Sequence, residues 1–114
     1  MKIILINARD HRVESFHVDP LTFVHGVQEV LDGTFEIGAT LSNGDILLVN
    51  EELCVRPDVP DYGFNLEGRR FFGNAVVVGS NKDRYAVPAR SGLRTLSRSV
   101  KFICLKKIFL SDLF

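Results

Sequence analysis

The chain has no tryptophan, one methionine, two cysteines and four prolines in 114 residues, and each scarcity removes a class of protein. Cys54 and Cys104 stand far apart with no third thiol and no CxxC pair. One disulfide between them is possible by count, but nothing else suggests secretion, so they read as two free, packed thiols in a reducing compartment. His11, His17 and His25 are scattered without an HxxxH pair, so no metal is expected. Apolar runs fall far short of the roughly 18 to 20 residues of a membrane helix. The short run in MKIILINARD is followed by no small-residue cleavage site, so it reads as a first strand and the protein as cytoplasmic, with no membrane partner. GxGxxG, Walker and GxSxG motifs are missing. No cofactor and no catalytic residue are therefore assigned, and the first reading is not an enzyme.

What is present suits one globular domain over residues 1–114, with 46% apolar and 25% charged residues, enough to hold a core without staples. The zero net charge hides a division. Residues 1–83 carry 7 Lys/Arg against 13 Asp/Glu, a net of −6, and residues 84–114 carry 7 against one, a net of +6. Such a split means a basic element docked on the acidic body or a partner subunit, or a basic patch for an anionic partner.

Periodicity predicts an α+β fold, a mostly antiparallel sheet with one covering helix and a C-terminal helix or strand. KIILI is apolar on both faces, as an interior strand requires, and VESFHV pairs with it as a hairpin. Asp19-Pro20 starts a helix over about 20–31. Leu21, Val24, Val27 or Gln28, and Leu31 are its expected buried stripe, and Gly33 is its left-handed stop. Gly26 inside it costs about 1 kcal/mol against alanine and points to close packing. TFEIGATL, with Phe35, Ile37, Ala39 and Leu41 on one face, turns at Ser42-Asn43-Gly44 and returns as DILLVN. Residues 53–73 read as a long loop with at most one short strand, and NAVVVGS as a second buried strand. Ser91 then caps a preferred helix with Leu93, Leu96, Val100, Ile103, Cys104 and Ile108 on one face. The β-branched and aromatic VKFICLKKIFL leaves a strand open as the alternative.

The succession of helix, DGTFEIGATLSNGDILLVNEEL and FFGNAVVVGSN resembles the phage- and plasmid-borne domain-of-unknown-function family three-eight-four-six over about residues 1–82. Gly33, Phe35, Glu36, Asn50, Glu51, Glu52, Gly73 and the run Val76 to Gly79 stand in its pattern. Asp32, Leu53 and the basic tail depart from it. The family carries no reaction, so the resemblance implies a mobile-element origin and no chemistry.

Three groups of residues are candidates for partner contact. Glu36, Asn50, Glu51 and Glu52 sit on or beside the 34–50 hairpin, as a polar pocket or as braces for the following loop. Asn50 shares a face with Ile46 and Leu48 and is expected to point inward. The two glutamates are expected to meet Arg56, Arg69 or Arg70. Alternatively, Arg56, Arg69, Arg70 and Tyr62 offer a cationic, aromatic surface for a nucleotide, with Phe71 and Phe72 in the core. Arg90, Arg94, Arg98 and Lys101 form one basic stripe if their segment is helical. The first functional expectation is a small non-enzymatic binding protein of a phage or mobile element that occupies a host protein, such as a bacterial defence factor, or sequesters a host molecule. It is expected to be a homo-oligomer, dimerising through its apolar tail. The alternatives are a nucleic-acid-binding protein using the stripe and a small-nucleotide pocket.

Overall fold

The structure, a computed structural model, describes residues 1–54 and 61–104, with the backbone alone for Leu53 and Cys54. Within them the chain forms β1 (Lys2–Asn7), β2 (Arg12–His17), α1 (Phe23–Leu31), β3 (Phe35–Thr40), β4 (Ile46–Asn50), β5 (Tyr62–Leu66), β6 (Arg69–Phe72), β7 (Ala75–Ser80), β8 (Ala86–Val87), α2 (Leu93–Ser99) and β9 (Lys101–Cys104). A mostly antiparallel α+β architecture is what the periodicity predicts.

The main sheet runs β2-β1-β7-β4-β3, with β8 pairing on the far end of β7. A second sheet runs β6-β5-β9, and every pairing in both is antiparallel. The main sheet is covered on both faces, which is why β1, β4 and β7 are almost continuously apolar. Ile3, Leu48, Val76 and Val78 pack with Val27 and Leu31 of α1 on one side. Ile4, Ile6, Leu47, Val49, Ala75 and Val77 face Phe64, Leu66, Phe71, Leu96 and Val100 of the second sheet and α2. The result is a stack of three layers with a core on each side of the middle one.

The start of the helix follows its sequence signal. Asp19 Oδ1 accepts the Leu21 N–H at 2.9 Å, and Pro20 opens a 3-10 turn over Pro20–Thr22 that leads into α1. The buried stripe is rotated from the expected one. Val27 and Leu31 are buried, with Phe23 and Val30 packed beside them, whereas Leu21 and Val24 face outward. The 3-10 turn breaks the helical register before Phe23, so spacing counted from Leu21 misplaces the face. The left-handed residue at the helix end is Asp32 (φ 55°), one position before the expected Gly33. Gly26 does pack closely, since a Cβ there would lie 3.2 Å from a Val18 methyl carbon.

The β3-β4 hairpin forms around Ser42-Asn43-Gly44 with an irregularity at Gly38, where the register shifts between Ile37 and Ala39. A bulge reverses the alternation beyond it. Phe35 therefore packs on the α1 side and Ala39 and Leu41 in the opposite core, not all on one face.

Two expectations from the second half are corrected. The supposed loop between 53 and 73 contains the β5-β6 hairpin, closed by Glu67 (φ 50°) and Gly68 (φ 76°), a two-residue turn with both φ angles positive. A Cβ at Gly63 would overlap the Phe71 carbonyl oxygen, so glycine permits this hairpin's close approach. The preferred single helix from Ser91 is a short helix followed by a strand. Val100 is already extended (φ −80°, ψ 127°), and Lys101–Cys104 pairs with β5. Cross-strand partners for Phe102 and Ile103 outweigh the helical spacing of the apolar residues. Ile108 and the rest of the tail lie outside the described residues.

Candidate functional site

The carboxylate cluster is dispersed by the fold. Asn50 ends β4 with its side chain buried under the end of α1. Its Nδ2 donates to the carbonyls of Leu31 (3.0 Å) and Asp32 (3.4 Å), and its Oδ1 accepts the Glu52 N–H (2.9 Å). One amide thus satisfies orphan carbonyls at the helix C-terminus and an N–H of the next turn. The expected inward orientation holds, and the brace reaches the helix as well as the following loop. Glu36 pairs with Val49 and points to the other face of the hairpin, away from Asn50. Glu51 accepts a hydrogen bond from the Thr34 hydroxyl instead of meeting an arginine. Glu51 and Glu52 are exposed in a 3-10 turn over Glu51–Cys54. Arg56 lies outside the described residues.

The nucleotide surface proposed around Tyr62, Arg69 and Arg70 is also divided. Tyr62 and Phe64 point toward the main sheet, where the Arg9 guanidinium lies 5.5 Å from the centre of the Tyr62 ring. Arg69 shares that side and stacks on Phe71 at 5.4 Å. Arg70 and Phe72 alternate to the outer face. Phe71 is core as expected, whereas Phe72 is on the outside and only partly buried. His11 stacks flat on Phe102, with ring centres 5.1 Å apart, closing the β1-β2 turn over β9.

The basic stripe is broken for the same reason that the tail helix is. Arg94 and Arg98 are exposed on α2, but Lys101 belongs to β9. Arg90 is tied to the body by the side chain that sequence reading overlooked. Asp45 is fully buried. Its Oδ1 accepts the Arg90 N–H (3.0 Å), and its Oδ2 accepts the N–H (2.8 Å) and hydroxyl (2.7 Å) of Ser91. The Arg90 guanidinium lies 3.7 Å from Oδ1 and donates to the Ser80 carbonyl at 2.7 Å. Ser91 is therefore a partner of Asp45, and Gly92 precedes α2 without any side-chain cap. The available signal was the turn Asn43-Gly44-Asp45, in which Asn43 Oδ1 accepts the Asp45 N–H at 2.9 Å. It marks a tight turn but not the partner 45 positions away.

One surface stands out on the α1 side. Leu21 is 93% exposed, Val24 55% and Ile37 65%. Leu21 and Val24 border a shallow depression with Phe23 and His25. Ile37 lies on edge strand β3 and pairs with Leu48, which puts it on the same side of the sheet as α1. From Val13 to Cys54 the chain carries eight Asp or Glu and no Lys or Arg, so the segment that bears these side chains is acidic.

Cys104 is a half-buried free thiol on β9. No helix among the described residues is long and apolar enough to cross a membrane. Leu96 and Val100, two of the apolar tail residues, are buried in the chain's own core. The remainder of the tail expected to make a dimer, residues 105–114, lies outside the described residues. No family model matches the chain, and no match is found among curated proteins or solved structures.

Proposed function

We propose that this chain is a small, non-enzymatic binding protein of a phage or other mobile element, which acts in the cytoplasm of a bacterial host by occupying a host protein. The single observation behind the reading is the exposed set Leu21, Val24 and Ile37 in a stretch without one basic residue. Large exposed apolar groups on one side of a small domain, beside a sheet edge that is unpaired among the described residues, favour a protein partner. The acidic segment that carries them favours a partner whose apolar pocket is bordered by Lys or Arg. The use of Asn50 and Glu51 inside the fold supports a gripping role over a catalytic one. The mobile-element origin rests on the resemblance to family three-eight-four-six, and self-association through the tail belongs to the same proposal.

The test uses the full chain as bait in a bacterial host lysate, beside a Leu21→Asp/Ile37→Asp variant. A protein retained in stoichiometric amount by the native chain, and lost by the variant at unchanged thermal midpoint, supports the reading. A turnover activity that collapses when Glu51 or Glu52 becomes glutamine overturns it. Light scattering showing a strict monomer at micromolar concentration removes the dimer.

A further inference from the structure

The outer face of the three-stranded sheet carries a polar row spanning all of its strands. Asn65 on β5 is flanked by Arg70 on β6 and by Lys101 on β9. Phe64, Leu66 and Phe71 point into the core, so alternation turns Asn65, Arg70 and Lys101 outward. Strands lie about 4.8 Å apart, which sets the two cations roughly 10 Å from each other with the amide between them. A cleft opens over this row, bounded by Gly68 and Ser99. Arg70 and Lys101 are exposed and enter no hydrogen bond or ion pair among the described residues. Glu67 also borders the cleft, but its carboxylate accepts hydrogen bonds from the Ser42 N–H and hydroxyl.

The adjacent row is Phe72, Gly63 and Ile103. Gly63 contributes no side chain there, which leaves the partly buried Phe72 ring without a neighbour from β5. Two unneutralised cations flanking an amide make a donor set for a tetrahedral anion. The guanidinium presents paired N–H groups, the amide one more donor and the ammonium a point charge. An aromatic ring one row away, on the same face, is placed to stack a flat base.

We propose that Arg70, Asn65 and Lys101 bind the phosphate of a nucleotide unit whose base stacks on Phe72. The unit is either a free nucleotide or part of a single strand, since paired bases in a duplex have no free face to offer. This site lies on the opposite side of the stack from Leu21 and Ile37. It is independent of the host-protein proposal, and failure of either leaves the other standing.

The test is fluorescence anisotropy of the full chain with a labelled 12-nucleotide pyrimidine oligomer, and competition by a nucleoside diphosphate, at ~50 and ~200 mM salt. With one phosphate neutralised and a single-strand slope of about −0.7 per phosphate, affinity is expected to fall about 2.5-fold across that range. Arg70→Ala with Lys101→Ala should weaken binding about tenfold or more, as expected for the loss of charge-assisted contacts. Phe72→Leu should weaken binding but keep the salt slope, and Arg94→Ala with Arg98→Ala should change nothing. If the double variant loses its thermal midpoint, Lys101→Gln alone decides, with weaker binding and a flatter salt slope expected. Competition by the diphosphate assigns the site to a free nucleotide, and oligomer binding without competition assigns it to a strand. Binding of neither probe at low salt, binding unmoved when Arg70 and Lys101 are replaced, or an equal loss from the Arg94/Arg98 variant would each overturn the proposal.

Discussion

The two outer layers of the stack cover the same sheet by different means. On one side α1 follows β2 directly and packs through Val27 and Leu31, with Asn50 fastening its end. On the other, β5 pairs with β9 from far downstream, and the segment leading into α2 is held by buried Asp45. The first layer closes a short stretch of chain and the second a long one, so the second depends more on specific long-range contacts. The layers also differ in charge. The α1 side belongs to a stretch without Lys or Arg, while α2 and the outer face of the second sheet display Arg70, Arg94, Arg98 and Lys101. One small body therefore offers an acidic, apolar surface and a basic, aromatic one, back to back.

Substitutions can separate these layers. Phe64→Ala empties the centre of the second core and should cost about 3 to 5 kcal/mol, read as a lower urea midpoint at unchanged slope. Asp45→Ala leaves the Arg90 and Ser91 N–H groups without their acceptor and should cost about 3 kcal/mol. Protection of β9 and α2 amides from hydrogen exchange should fall further than that of α1. Equal loss in both layers would show that they unfold as one unit. Asn50→Ala frees the end of α1 and should cost about 1 to 3 kcal/mol, with the reverse pattern of exchange. Leu21→Asp and Ile37→Asp should change stability by no more than about 0.5 kcal/mol while abolishing partner capture. A larger stability loss would make those side chains part of the fold instead of a contact surface.

Much of the first layer was legible. Asp19-Pro20 announces the helix because a carboxylate cap and a fixed φ act locally. Ser42-Asn43-Gly44 announces the hairpin because the turn constrains its own neighbours. Asn50 could be assigned an inward side chain from the alternation of β4 alone. The second layer was harder. The β5-β6 hairpin follows Pro57 and Pro60 closely and carries arginines on a strand, so it reads as loop. The tail's apolar residues fit a helix by spacing, and only pairing with Tyr62 to Asn65 makes Lys101–Cys104 a strand. Of the candidate sites, the glutamate cluster, the Tyr62-Arg69-Arg70 surface and the basic stripe were each assembled from residues close in sequence. Strand alternation and the break at Val100 separated them. Arg70 and Lys101 share a row although they stand 31 positions apart in the sequence.

Local rules thus reach as far as their range. Turn chemistry, caps and alternation act over a few residues, and they are enough to specify β1, the β3-β4 hairpin, β7 and the start of the helix. Which helical face is buried, where Gly38 reverses a strand and what Asp45 holds depend on groups brought together from distant positions. Those choices are made by packing and by the need to satisfy every buried polar group, and neither is written in any short window of the chain.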